Sequence, residues 1–283
     1  MTLTIGADYH NHTCYSPDGR DTMLTMCRWA VEIGLNTIAF TEHVEWQPQQ
    51  RIMPPLRAYF KELNYCRQLF SADGLTILSG VELGNPHEHQ DAAQELLGQY
   101  QFDVTIASLH WLHGENIQME SCFQGRSAHE VYVDYFAALG EMAATFDADI
   151  IAHFDRIMWR GALLGKPLDP WSIESTIRDA LSTIVWRKVA LELNTRYLGS
   201  EPEWLDALLL ILRWYVAEGG TRVVVNSDAH ATWQLGANRE IAADILEAVG
   251  LTPVTDLMAG VNGTAVFVKN EINPDSVVEA YDG

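Results

Sequence analysis

The run Thr4-Ile5-Gly6-Ala7-Asp8-Tyr9-His10-Asn11-His12 begins as a short apolar strand and ends on two imidazoles one residue apart. The same pattern returns along the chain. After the first run (4–9), short apolar or β-branched runs stand at 36–40, 75–81, 102–107, 149–152, 189–193 and 221–225. Metal-type ligands follow nearly all of them: His43, Glu82, His110, His153, and Asp228 with His230, while Asp18 lies in the loop after the first run. Only the sixth run lacks an obvious ligand, offering Asn194 and Arg196 instead. Groups so distant in sequence can meet only where a fold gathers its strand ends at one rim, as a β/α barrel does.

The segments between the runs support that reading. Helical patterns cover 23–33, 56–70, 128–146, 172–187 and 203–218, and Gly34 and Gly74 stand where helices should stop. The runs are apolar throughout rather than alternating, as expected for parallel strands buried on both faces. The expectation is an α/β barrel forming one domain over residues 1–283, a size such barrels commonly reach.

Composition narrows the function classes. With 18 Lys+Arg against 38 Asp+Glu the net charge is −20, so the molecule should repel nucleic acid and anionic membrane, and neither is expected as a partner. A phosphorylated substrate would need a local positive centre of metal ions and a few arginines. Cys14, Cys27, Cys66 and Cys122 show no C-x-x-C pair or framework spacing, which argues against a disulfide scaffold and for a reducing, cytoplasmic setting. The first eight residues lack the pattern of a signal peptide, and the apolar run at 207–212 is too short to span a bilayer.

Mixed imidazole and carboxylate ligands suit Zn, Mn or Fe, and a carboxylate can bridge two cations. The set His10, His12, Asp18, His43, Glu82, His110, His153, Asp228 and His230 exceeds the needs of one ion, whereas three divalent ions would use it all. Clustered ions can clamp both oxygens of a phosphoryl displacement and supply a nucleophile without Ser or Cys. Asp18 also has a turn role open to it in Ser16-Pro17-Asp18-Gly19. His87, His89, His113 and His129 fall outside the pattern and are expected on the surface, His113 with a possible place at the entrance. Trp111, Trp159 and Trp233, close to ligand positions, are candidates for pocket walls or core.

Taken together, Asp8-Tyr9-His10-Asn11-His12, Thr41-Glu42-His43, Gly80-Val81-Glu82, Ser108-Leu109-His110, Ala152-His153-Phe154-Asp155 and Asn226-Ser227-Asp228-Ala229-His230 resemble the PHP (polymerase and histidinol phosphatase) superfamily. The resemblance implies a distorted barrel of seven β/α units with a trinuclear site at the C-terminal ends of the strands. It implies one ion on His10, His12, Glu82 and Asp228, a second on Glu82, His110 and His153, and a third on Asp18, His43 and His230. The chain looks most like the histidinol-phosphate phosphatases: their Asp-x-x-x-His-x-Asp appears as Asp149 to Asp155, and their Leu-Glu-x-Asn-Thr as Leu191 to Thr195. The interval 84–102 has no room for the inserted helical subdomain of relatives that hydrolyse nucleotide phosphodiesters. Two departures stand out, Glu42 where many relatives have Asp and Asn226 ahead of Ser-Asp-Ala-His.

The leading expectation is therefore a metal-dependent phosphomonoesterase acting on L-histidinol phosphate or a similar small ester through a metal-bridging hydroxide. Asp228, His230 and Glu82 are its catalytic candidates, with Asp228 or a nearby His shuttling the proton. Arg196 is the first choice for holding phosphate, followed by Arg160 and Arg156, because a planar guanidinium bonds phosphate oxygens in pairs. Asp8 and Asp155 are expected to orient ligands. Three alternatives stay open: an amide or lactone hydrolase with the same metals, which would not need Arg196, a phosphodiesterase on small nucleotides, and a non-catalytic metal-stabilised domain.

Overall fold

The computed structural model describes residues 3–200 and 204–257. In chain order its strands and helices are β1 (Ala7–Asp8), α1 (Met23–Glu32), β2 (Thr37–Gln47), β3 (Gln50–Ile52), α2 (Leu56–Leu69), β4 (Thr76–Gly84), α3 (Gln90–Gln99), β5 (Val104–Ser108), β6 (Trp111–Leu112), β7 (Glu115–Asn116), α4 (Ala128–Thr145), β8 (Ile150–Ile151), α5 (Arg156–Leu163), α6 (Glu174–Arg187), β9 (Ala190–Asn194), α7 (Leu205–Ala217), β10 (Val223–Asn226) and α8 (Arg239–Val249). Seven strands lie side by side in the order β1-β2-β4-β5-β8-β9-β10, all parallel. This is the distorted seven-unit β/α barrel, and each of the seven apolar runs contributes one strand to it.

The distortion lies at the seam between β10 and β1. There the ladder gives way to side chains: Tyr9 N–H donates to Asn226 Oδ1 at 2.8 Å, and the Asp8 carboxylate accepts from Ser227 N–H (3.2 Å) and Oγ–H (2.6 Å). A single parallel bridge, Asn11 with Ala229, continues the seam upward. Asp8 thus fastens the barrel as well as accepting from His10 N–H at 3.3 Å.

Alternation along the strands explains what fills the interior. One set of residues, including Ile38, Phe40, Val81, Leu83, Leu191, Leu193 and Val225, packs outward in the large core shared with the helices. The inward set starts apolar, with Ala39, Val104, Ile106, Ile150, Ala190 and Val224 closing the lower barrel. Further toward the strand ends it turns polar: Glu82, Ser108, Glu192 and Asn194 are all buried.

Local signals fix the helices. Thr22 caps α1 by accepting from Thr25 N–H at 3.2 Å, and the chain leaves α1 through Gly34 at φ +75°. Ser127 and Glu130 form a capping box at α4. The helix expected at 203–218 is α7, and among the described residues no helix is long and apolar enough to cross a membrane. Helices α3, α5 and α8 and the hairpin β6–β7 add to the expected elements. Two strands outrun their sequence signals. β2 continues to Gln47 and turns back into antiparallel β3, and β4 reaches Gly84, so His43 and Glu82 sit within strands rather than past their ends. At Gly80 an added methyl group would strike Thr41 of β2, so glycine permits the two long strands to run this close.

Candidate metal centre

Glu82 stands at the middle of the polar upper barrel, fully buried, with Ser108 Oγ–H donating to Oε1 at 2.6 Å. Five imidazoles surround its carboxylate: His43 Nδ1 at 2.6 Å, His153 Nε2 at 3.0 Å, His110 Nε2 at 3.1 Å, His10 Nε2 at 3.3 Å and His12 Nε2 at 3.4 Å. Asp228 closes one side, its Oδ1 3.2 Å from His12 Nε2 and 3.6 Å from His10 Nε2. Asp18 closes the rim, with 3.1 Å to His230 Nε2 and 3.5 Å to His43 Nε2. All nine ligand-type residues therefore converge on one end of the barrel.

The polar environment of each ring determines which nitrogen faces the centre. His10 Nδ1–H donates to Glu192 at 2.8 Å, His110 Nδ1–H donates to Glu45, and His12 Nδ1–H donates to Ser16 Oγ at 3.3 Å, which itself donates to Glu42 at 2.5 Å. Each arrangement leaves an Nε2 lone pair aimed inward, the orientation a metal ligand needs. These Nε2 atoms, with His43 Nδ1 and Glu82 Oε2, are buried and have no hydrogen-bond partner. Unpaired buried polar atoms are costly, and a cluster of them pointing at one another fits divalent cations. Ligand atoms of His10, His12 and Glu82, of His10, His153 and Asp228, of His43, Glu82 and His110, and of His12, His43 and His230 lie within 4.8 Å of one another in each group.

Electrostatics agree with that fit. Burial alone would raise the Glu82 carboxyl, but His10, His43 and His110 outweigh it and hold Glu82 well below the usual carboxylate range. Burial would lower His43 and His110, yet Glu82 and Asp18 push His43 up to about 10, and Glu45 and Glu82 push His110 up to about 9. Protons and metal ions thus compete for one pool of negative charge. Backbone conformation adds to the aim: His153 (φ +24°) and Asp228 (φ +49°) occupy the left-handed region uncommon for residues with a side chain.

Residues 8–196 of the chain match the PHP domain family. The chain belongs to the PHP domain family. A probable histidinol-phosphatase of Clostridium acetobutylicum is 27% identical over 253 residues, 87% of this chain and 95% of that one. A histidinol-phosphatase of Lactococcus lactis is 24% identical over 79% of this chain and 83% of its own length. The fold is shared with the crystal structure of histidinol phosphate phosphatase from Lactococcus lactis complexed with zinc, L-histidinol and phosphate, at a TM-score of 0.80 and 20% identity over 89% of this chain and 96% of that one.

Within this PHP domain the arginines divide. Arg156 is buried and ion-paired to Asp228, and Arg196 Nη1 lies 2.8 Å from the Asp228 carbonyl oxygen and 2.7 Å from His230 Nδ1. Both line a cavity of about 220 Å³ with Asp18, His43, His110 and His230. Arg160, one turn further along α5, does not line it. His113 is bonded to Asp134 at 2.8 Å and stays outside the cavity. His87 and His89, expected on the surface, are half-buried, because the turn into α3 folds them in. Trp233 is exposed, Trp159 stacks on Tyr197, and Trp111 acts through Glu45 by donating to it at 3.2 Å.

Sequence reasoning missed Glu45 and Glu192. Glu192 occupies an inward position in β9 and accepts from His10, from His153 N–H (2.7 Å), from Asn226 (2.8 Å) and from Asn194 (3.1 Å). A carboxylate inside an apolar run with both faces buried was the available signal. The departures also find roles: Asn226 joins the seam to Glu192, and Glu42 accepts from Thr13 Oγ–H (2.6 Å) and Ser16, holding the loop that carries His12 and Asp18. Asp149 lies at the foot of β8, accepting from Thr105 N–H at 2.8 Å, away from the ligands. Asp155 is buried near Arg156, and burial pushes its carboxyl up to about 8.

Proposed function

We propose that the chain is a metal-dependent phosphomonoesterase acting on L-histidinol phosphate, or on a small phosphate ester of similar size, in the cytoplasm. The observation that carries this reading is the sharing of one 220 Å³ cavity by two guanidinium groups and the imidazole–carboxylate cluster. An amide or lactone has no use for a paired cationic grip, whereas a phosphoryl dianion does. The names of the relatives point the same way, as does the presence of zinc, L-histidinol and phosphate in the Lactococcus lactis structure.

In this reading three divalent ions would be held by His10, His12, Glu82 and Asp228, by Glu82, His110 and His153, and by Asp18, His43 and His230. When bound, such ions supply Lewis acidity toward phosphoryl oxygens and a water that ionises near neutral pH. The residues of the chain do the rest. Arg196 and Arg156 bind and orient the phosphoryl group, and Asp228 keeps both guanidinium groups turned toward the floor. We assign the proton transfer to the departing alcohol to His230, which lines the cavity between Arg196 and Asp18, because Arg156, His10 and Arg196 hold the Asp228 carboxyl well below the usual carboxylate range and keep it ionised.

The test is phosphate release from histidinol phosphate against sugar, amino-alcohol and nucleotide phosphates, with metal content measured on the same sample. Histidinol phosphate or another small monoester should lead the panel, and Arg196→Ala should lower kcat/KM by about 10- to 100-fold. Preference for a nucleotide ester, or an Arg196→Ala enzyme with unchanged kcat/KM, would reject the reading.

A further inference from the structure

Two guanidinium groups share one small cavity although like charges repel. Arg156 is firmly held: it opens α5, is only 5% exposed and is ion-paired to Asp228. Arg196 has no such burial. Its side chain is 24% exposed on the loop after β9, and its polar partners are the Asp228 carbonyl oxygen and His230 Nδ1, with the Asp228 carboxylate 3.5 Å away. The elements that bear the two cations are joined behind them by a pair of aromatic rings.

Trp159 stands three residues after Arg156 on α5, a spacing that brings helical side chains toward the same side. Tyr197 directly follows Arg196. The two rings stack with centroids 3.7 Å apart and planes 9° from parallel, and the Arg196 guanidinium lies 5.8 Å from the Tyr197 ring centroid, within reach of a cation–π attraction. Ser200 clasps the stack. The Trp159 indole N–H donates to Ser200 Oγ at 3.1 Å, and that hydroxyl donates to Tyr197 O at 2.7 Å. The loop is seated at its base as well, because Asn238 Nδ2–H donates to Thr195 O at 2.9 Å, and a methyl group at Gly199 would strike the Asn238 side chain.

We infer that Trp159 and Tyr197 are positioning residues for the phosphate grip. Neither ring lines the cavity, so both act through the arginines. The stack fastens the loop that carries Arg196 to the helix that carries Arg156, and the thickness of two packed rings then sets the separation of the guanidinium groups. It also holds Arg196 in place before the phosphoryl group arrives, which spares the ordering that a half-exposed arginine would otherwise undergo on binding. This rests on the phosphomonoesterase reading and adds how the phosphate side of that cavity keeps its geometry.

The test reads phosphate binding separately from turnover. On zinc-loaded full-length protein, the Kd of inorganic phosphate is measured by calorimetry for wild type, Tyr197→Leu, Trp159→Leu and Tyr197→Phe, and for Tyr197→Leu in an Arg196→Ala background. Each leucine variant should weaken phosphate by about five- to tenfold, with zinc affinity within about twofold of wild type. Tyr197→Phe keeps the ring and should recover most of that loss. In the Arg196→Ala background Tyr197→Leu should cost less than about twofold, since a residue that acts through the arginine has nothing left to position. Leucine variants that bind phosphate as wild type does, a Tyr197→Phe protein as weak as Tyr197→Leu, equal losses of zinc and phosphate, or full additivity with Arg196→Ala would each overturn the assignment, as would a wild type that binds no phosphate. Phosphate Kd values that shift as expected in a protein that hydrolyses no ester would instead strike the catalytic reading and leave the positioning role standing.

Discussion

The lower and upper halves of the barrel interior are built by the same strands, in the same inward register, and differ in how far along the strands their residues stand. Below, Ala39, Val104, Ile106, Ile150, Ala190 and Val224 fill space. Above, Glu82, Glu192, Asn194 and the histidines at the strand ends fill it with groups that cannot be buried alone. The lower half is stabilised by leaving water and by close packing. In the upper half each polar group depends on its partners. The difference teaches that the barrel wall itself serves as the holder of the site, so damage above should appear in metal binding and chemistry, and damage below in stability.

The sharpest separation should come from Glu82→Ala. Loss of the shared carboxylate should cut turnover of a small phosphomonoester by about a thousandfold or more, while the circular dichroism spectrum stays near that of the parent. Near-normal hydrolysis would erase the distinction between the halves. Ile150→Ala, in the lower half, should do the reverse. It should cost about 2–5 kcal/mol in urea unfolding and leave zinc affinity within a factor of about three, less than 1 kcal/mol.

Glu192→Gln probes the boundary, since Glu192 is upper by chemistry yet lies on β9 beside lower-half neighbours. A neutral amide cannot match the carboxylate that fixes His10, so zinc affinity measured by chelator competition should fall about 10- to 100-fold. Unfolding stability of the metal-free variant should change far less. Equal effects on both readouts would mean that Glu192 acts as core rather than as support for His10.

The smallest effect should be at the foot of the barrel. Burial raises the Asp149 carboxyl, and the Thr105 N–H bond and Arg222 offset only part of that. Because the folded-state pKa lies above the unfolded one, the folded protein binds more protons, and stability falls as pH rises from the ordinary aspartate value through the raised one. Asp149→Asn keeps an acceptor for Thr105 N–H and removes this slope. It should raise Tm at pH 7 by about 2 °C or less, with the gain vanishing near pH 4; a gain that grows toward acid pH would reverse the sign argued here.

The same contrast explains what the sequence disclosed. Apolar runs are the visible signature of the lower half and the outer core, so all seven barrel strands could be read from them. The upper half is polar, and hydrophobic pattern cannot follow a strand into it. For this reason Thr41-Glu42-His43-Val44-Glu45-Trp46-Gln47 does not read as strand although β2 runs through it, almost wholly buried. The ligands were legible because imidazoles and carboxylates at strand ends form an ordered set. Glu192 was not, since it stands inside an apolar run where only alternation distinguishes the inward face, and Glu45 was not, since its partners His110 and Trp111 come from a distant hairpin.

The central claim is that the nine ligand-type residues hold divalent ions at the upper end of the barrel. Anomalous diffraction at the zinc edge from crystals of the zinc-loaded protein tests it most directly. The account predicts three peaks within coordinating reach of these residues, with Glu82 contacting more than one. Peaks confined to surface sites, or a centre that stays free of metal at saturating zinc, would contradict it.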